Sequence, residues 1–181
     1  MRTFLAFPVP DELRLLLWKE TEPLRRSASG VKWVSPESMH LTLFFFGEIG
    51  DDQVQSLAEL LADPAFGRPP LTLGYRGLGA FPSIGKPRVI VIELTQGVAE
   101  CLAFRERIEP AVRRVAASDE RPFSPHLTLG RVKIPGAKLD LSALAITPRE
   151  FTISRCVLYE SRLRREGPEY RELAALEFHG R

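Results

Sequence analysis

Two stretches of the chain, MHLTLFFFG (39–47) and PHLTLGRVK (125–133), share the phrase His-Leu-Thr-Leu, and they hold two of the three histidines among 181 residues. Side chains along a β-strand alternate between faces. His40 and Thr42 therefore share one face while Leu41 and Leu43 take the other, and His126 with Thr128 oppose Leu127 and Leu129 likewise. Each copy offers one imidazole and one hydroxyl above a buried pair of leucines. An imidazole with an unperturbed pKa of about 6.5 can take or give a proton near neutral pH, and a pair can do both within one reaction. Two threonine hydroxyls can donate hydrogen bonds to non-bridging phosphoryl oxygens, where negative charge gathers in the transition state. The set suits cleavage of a phosphodiester by acid–base catalysis. No carboxylate cluster of metal-ligand type accompanies it in the sequence, so no metal and no other cofactor is expected.

The elements that must position these groups follow from periodicity. TFLAFPV (3–9) reads as a buried strand, and 11–28 as a helix with Leu13, Leu16, Leu17 and Leu24 at helical spacing and a kink expected at Pro23. VKWV and HLTLFFF are β-rich, the second closed by Gly47 and Gly50; 51–63 is an amphipathic helix capped by an aspartate, and 71–81 a strand. The order then restarts, with a strand at 87–94, a helix at 96–118, a strand at 126–132, a short helix at 139–145 and one long strand at 150–163. A last strand or short helix is expected at 170–178. The two motif histidines are 86 positions apart, and the same offset carries the first strand and helix to 89–95 and 97–114, onto their counterparts. Pro23 and Pro110 also fall at near-equivalent places.

A single domain spanning 1–181 is therefore expected, with an internal repeat of roughly 1–85 and 86–165 whose period is too long for a stacked solenoid. Strand–helix order alone allows a parallel α/β sheet. The hairpin-like pair of 71–81 with 87–94 favours an antiparallel arrangement. The expected fold is α+β: a bilobal pseudo-two-fold repeat, two antiparallel sheets backed by helices around a central cleft that both histidines and both threonines face.

Composition narrows the function classes. Hydrophobic residues make up 44% and charged residues 27%, which suits a globular chain with a sizeable core. A formal net charge of +2 allows an anionic ligand without predicting an extended nucleic-acid surface. Cys101 and Cys156 form no CxxC or Cys/His cluster, which argues against a zinc site or a disulfide framework and fits a reducing cytoplasm. The opening MRTFLAFPVPDELR lacks the pattern of a signal peptide or membrane span. GAFPSIGKP (79–87) places five residues between Gly79 and Gly85 and Pro87 after Lys86, so it fails the P-loop pattern and reads as a turn, with Lys86 and Arg88 as candidates for a cleft rim. Trp33 and Tyr159 are candidates for base stacking, although core packing is the commoner role of such rings; His179, without a matching threonine, reads as a tail residue.

With its motifs in place, the chain resembles the 2H phosphoesterases, named for two His-x-Thr-x motifs. Within them it is similar to the bacterial RNA 2′,3′-cyclic phosphodiesterases once described as 2′-5′ RNA ligases. The resemblance runs through RTFLAFPVPDELR, VKWVSPESMHLTLFFFGEI, FPSIGKPRVIVIEL, FSPHLTLGRVK and FTISRCVLYESRLRREGPEY. It implies metal-free hydrolysis of a ribose 2′,3′-cyclic phosphate at an RNA 3′ end to a 2′-phosphate, with joining of tRNA halves through a 2′-5′ bond as the reverse reaction. It also implies His40 as proton donor to the departing 3′ oxygen, His126 as proton acceptor from water, and Thr42, Thr128 and Arg131 on the phosphate. Strict alternation would turn Arg131 away from the cleft. Either a bulge at Gly130 turns it round or its side chain reaches back from the strand end. Phe45 occupies the equivalent place in the first copy, so the arginine serves one lobe. The expected partners are RNA 3′ ends with a 2′,3′-cyclic phosphate, with tRNA halves and small cyclic nucleotides as further candidates. A cytoplasmic monomer without membrane association is expected. The rival function is a nucleotide- or RNA-binding module that uses the same cleft without turnover.

Overall fold

The apolar run after Met1 forms β1 (Arg2–Pro8) in a computed structural model that describes residues 1–118, 122–134, 139–141, 144–165 and 167–180. The following helical pattern is broken once, at Thr21, into α1 (Asp11–Glu20) and α2 (Glu22–Ser27). Pro23 lies in the first turn of α2, where its missing N–H costs nothing. The Thr21 hydroxyl donates to the Leu17 carbonyl at 2.7 Å, closing the end of α1. β2 (Val31–Trp33) and β3 (His40–Glu48) follow, then α3 (Asp51–Ala62). The aspartate cap expected for α3 is instead Gly50, whose N–H donates to Gln53 Oε1 at 3.1 Å. Asp51 and Asp52 are the first helical residues, beside the positive end of the helix dipole. β4 (Leu71–Phe81), β5 (Val89–Gln96), α4 (Val98–Val115) and β6 (His126–Val132) complete the elements around the second motif.

The expected strand over 150–163 is two strands. β7 (Arg149–Ile153) pairs with β4, and β8 (Arg155–Leu163) pairs with β1. The chain changes sheet at Ser154, whose carbonyl accepts from Phe178 N at 2.7 Å. Apolar residues on both sides of Ser154 make one unbroken β-favouring run, so periodicity alone does not mark the break. β9 (Pro168–Glu177) is the last strand, settling strand against helix at 170–178. The short helix expected at 139–145 includes residues outside those described.

The strands form two antiparallel sheets, one of four in the order β3-β1-β8-β9 and one of five in the order β2-β6-β5-β4-β7. The fold is thus α+β, with four α-helices among the described residues, and β4 and β5 make the expected hairpin. Each sheet draws on both halves of the chain: β8 and β9 extend the sheet begun by β1 and β3, while β2 and β4 join the sheet of β5 and β6. α3 packs on β9 and on α4, which in turn touches β4. The motif leucines are interior, Leu41, Leu43, Leu127 and Leu129 being 0%, 3%, 0% and 1% exposed, while the histidines and threonines between them are half-buried. Alternation therefore places the motifs as expected.

Gly97, at the start of α4, has a φ of +73°, and a Cβ there would sit 2.4 Å from the Thr72 carbonyl oxygen. Gly97→Ala combines left-handed strain with a backbone clash, and is expected to cost about 2–3 kcal/mol. Urea unfolding of the two proteins, compared at matched m-value, measures this directly.

Candidate active site

The two motif strands carry the same irregularity. β1 pairs Leu5 with Phe44 and Ala6 with Thr42, leaving Leu43 without a residue opposite. β5 pairs Ile90 with Gly130 and Val91 with Thr128, leaving Leu129 without one. An extra residue of this kind reverses the alternation beyond it. Phe45 and Arg131, which a regular strand would turn away, consequently line the same cleft as Thr42 and Thr128. Of the two routes open to Arg131, the chain takes a bulge, with Leu129 rather than Gly130 as the extra residue. The carbonyl of Leu43, displaced from the ladder, accepts from Arg105 Nε of α4 at 3.2 Å. That guanidinium also lies 4.5 Å from the Phe44 ring centroid and 5.0 Å from that of Phe123. The bulge beside Thr42 is thereby held by a helix from the other half of the chain.

The cleft has a volume of about 860 Å³. Its lining includes His40, Thr42, Thr128 and Arg131. β3 and β6 lie against each other, which brings the two motifs together across the junction of the sheets. His126, at the first position of β6, is not in the lining; its ring packs edge-on against Phe81, 5.0 Å between centroids. The hydroxyls of Thr42 and Thr128 make no hydrogen bond within the described structure.

Each imidazole is anchored in the same way. His40 Nδ1 is 2.9 Å from the carbonyl of Ser38, and His126 Nδ1 is 2.7 Å from the carbonyl of Ser124. A carbonyl only accepts, so Nδ1 carries the proton in both rings, and Nε2 is left to take or give one. His40 is stacked on Phe4 at 4.6 Å and meets Tyr170 edge-on at 5.1 Å. Burial among these rings is the main cause that lowers its pKa from 6.5 to about 4, with the charges of Arg131 and His126 adding to it and the Ser38 hydrogen bond opposing. His126 is also pushed below 6.5, chiefly by burial, with Arg131 acting in the same direction and Ser124 and Glu93 against it. Glu93 stands directly opposite His126 in the β5–β6 ladder, whereas His40 faces Pro8 across β1–β3. The first proton taken up by the pair is therefore best accommodated on His126.

Trp33 lines the cleft, whereas Tyr159 is absent from the lining and stacks on Phe4 at 5.2 Å. Lys86 and Arg88 are not among the lining residues, and His179 is exposed near the end of the chain. Cys101 and Cys156 are free and buried, and burial pushes both thiols up, Cys101 to about 12, so neither supplies a thiolate near neutral pH. Among the described residues no group of three or more His, Cys, Asp or Glu is placed to hold a metal ion, and no helix is long and apolar enough to cross a membrane. Sequence reasoning overlooks Phe4, Tyr170 and Glu93, which tune the imidazoles from other strands. It also overlooks Ser38 and Ser124, although a signal was present: the repeated phrase is Ser-x-His-Leu-Thr-Leu, two residues longer than the tetrapeptide.

An RNA 2′,3′-cyclic phosphodiesterase of Thermotoga maritima is 32% identical over 182 residues, covering 99% of this chain and 97% of that protein. One of Archaeoglobus fulgidus is 30% identical over 183 residues, covering 98% and 100% respectively. The crystal structure of TT0787 of Thermus thermophilus superposes with a TM-score of 0.80 at 29% identity, covering 99% of each chain. The sequence model of the family described as LigT like Phosphoesterase matches residues 7–91 and again 92–170, so both His-x-Thr motifs fall within it. The chain belongs to this family.

Proposed function

We infer that the chain is an RNA 2′,3′-cyclic phosphodiesterase that works by two-histidine acid–base catalysis. The observation that carries this is the matched pair of imidazoles, each with Nδ1 held by a carbonyl and Nε2 left free, with two threonine hydroxyls and Arg131 lining the cleft beside His40 and the charge of Arg131 acting on both rings. In the proposed step His126 takes a proton from water, whose oxygen forms a bond to phosphorus. The bond from phosphorus to O3′ breaks, and His40 gives O3′ its proton, leaving a 2′-phosphate and a 3′-hydroxyl. Thr42, Thr128 and Arg131 bind the non-bridging oxygens as charge builds on them. With a 5′-hydroxyl in place of water as the nucleophile, the same groups run the same displacement: its oxygen bonds to phosphorus, the bond to O3′ breaks, and a 2′-5′ bond results. RNA 3′ ends, tRNA halves and small cyclic nucleotides share the reacting group, and the two pseudo-symmetric motifs complete the site within one protomer.

His40→Ala and His126→Ala are each expected to lower turnover of a short RNA ending in a 2′,3′-cyclic phosphate by about 10²–10⁴-fold, followed by ³¹P NMR in excess EDTA. On an aryl phosphodiester, whose phenolate leaves without a proton, the variant lacking the acid recovers and the one lacking the base does not. Tight binding of the cyclic end by wild-type protein with no turnover would mark a binding module instead.

The proton inventory sets the pH dependence. A singly protonated pair exists between about 4, the value of His40, and the lowered value of His126 below 6.5. The proposed roles require that proton on His40, and a bound phosphate anion beside it favours this. kcat/KM, which reports the free protein, is expected to peak between these limits, and kcat at a higher pH. A kcat/KM that still rises above pH 7 would contradict this.

Stability follows the same groups. Above 6.5 His40 is bare in both folded and unfolded chains and contributes nothing to the slope. Between 6.5 and about 4 the unfolded chain binds a proton that the folded chain refuses, so stability is lost as pH falls through this window. His40→Gln is expected to flatten the decline in urea midpoint between pH 7 and pH 5; an unchanged slope would show that the imidazole is not held neutral by the fold.

A further inference from the structure

One end of the cleft carries, on either side of Arg131, two lysines that the hydrolytic step does not use. β2 pairs with β6 so that Lys32 stands opposite Arg131 and Trp33 opposite Gly130. Lys133 follows two positions after Arg131, its N–H bonded to the Gly30 carbonyl at 2.7 Å. Lys32, Arg131 and Lys133 are all exposed, all line the cleft, and have no ion-pair partner in the described structure. Elsewhere in the same cleft Arg164 is matched by Glu169 at 2.8 Å, which leaves Glu37 as the unmatched carboxylate of the lining. Like charges on neighbouring strands disfavour one another, so this end gains from an anion. Lys133 stands one position past the end of β6, two residues from Arg131, and two residues of extended chain span about 7 Å, a spacing that adjacent phosphates of an extended single strand can match. Trp33 flanks the cations. A Cβ on Gly130 would sit 3.0 Å from its Cε3, so the glycine lets the indole lie against β6, and its buried Nε1 has no partner.

We propose that Lys32 and Lys133, flanking Arg131, form a track for the ribose-phosphate backbone on the 5′ side of the cyclic phosphate, selecting single-stranded RNA ends over cyclic mononucleotides. This rests on the phosphodiesterase activity inferred above. The track contributes charge along the backbone and no base-specific hydrogen bonds, so it takes RNA ends of varied sequence.

The test compares wild type, K32A/K133A and K32R/K133R on 2′,3′-cyclic AMP and on a pentaribonucleotide ending in a 2′,3′-cyclic phosphate. Wild type is expected to favour the pentamer in kcat/KM. K32A/K133A should lose about tenfold on the pentamer and less than twofold on the mononucleotide, with K32R/K133R close to wild type. Anisotropy of a 5′-labelled pentamer ending in a 3′-phosphate reads the track without turnover. The slope of log affinity against log salt should become shallower by about 1.4 in K32A/K133A, 0.7 for each contact removed. Equal losses on both substrates, or an unchanged salt slope, would overturn the track and leave the lysines as guards of an exposed sheet edge. Failure of wild type to hydrolyse either substrate would instead defeat the phosphodiesterase assignment, while the salt slope would still judge the track.

Discussion

The hydrogen bond from each Nδ1 to a backbone carbonyl is the constraint on which the site depends. It sets the tautomer, because a carbonyl accepts and never donates, and it aims Nε2 by tying the ring to its own backbone two residues upstream. A strand cannot supply such a carbonyl from its own ladder, where carbonyls face sideways to neighbours. In both copies the acceptor is on the residues just before the strand begins: Ser38 ends the short 3₁₀ turn Pro36–Ser38, and Ser124 lies two positions before β6. The motif histidine is thus the first residue of its strand because only there can its ring reach irregular backbone.

Packing that immobilises the rings also opposes their charging. Phe4 and Tyr170 fix His40 between a face and an edge and keep water from it, which lowers its proton affinity. His126 has one aromatic neighbour and a carboxylate across the ladder. The two copies of one phrase therefore present unequal proton affinities, and the inequality comes from residues outside the phrase, on β1, β4, β5 and β9. The same division appears at the bulges. Identical irregularities at Leu43 and Leu129 bring Phe45 and Arg131 to the cleft, one as a platform 5.1 Å beneath the Arg2 guanidinium and the other as a cation in its own right.

Much of this was legible in the sequence because it depends on local alternation. The His/Thr and Leu faces, the strand at 71–81 and its antiparallel partner, and the helix expected over 96–118 and found at Val98–Val115 all follow from periods of two or 3.6 residues. What was hidden depends on pairing between distant segments. Nothing local in REFTISRCVLYESRL separates the part that pairs with β4 from the part that pairs with β1, since both partners ask for the same alternating apolar residues. A bulge is likewise a property of two strands in register, so the orientation of Arg131 could be posed as a choice but not decided from one strand. The cap of α3 differs for a simpler reason: the Gln53 side chain reaches the Gly50 N–H, so the helix begins one residue after the glycine, with the aspartates inside it.

The passage of strands between sheets has a further consequence for how the chain can be divided. A cut between β4 and β5 would leave a front fragment holding β1 and β3 of one sheet together with β2 and β4 of the other, and a rear fragment holding the complements of both. Neither fragment could cover its own open edges, because the strand that belongs beside β1 is β8 and the strand that belongs beside β5 is β4. Each would be adhesive toward the other along four strand pairings at once, β1 with β8, β2 with β6, and β4 with both β5 and β7. The two fragments are therefore built to reassemble by mutual exchange rather than to persist as small independent domains, and the cleft exists only in the exchanged state.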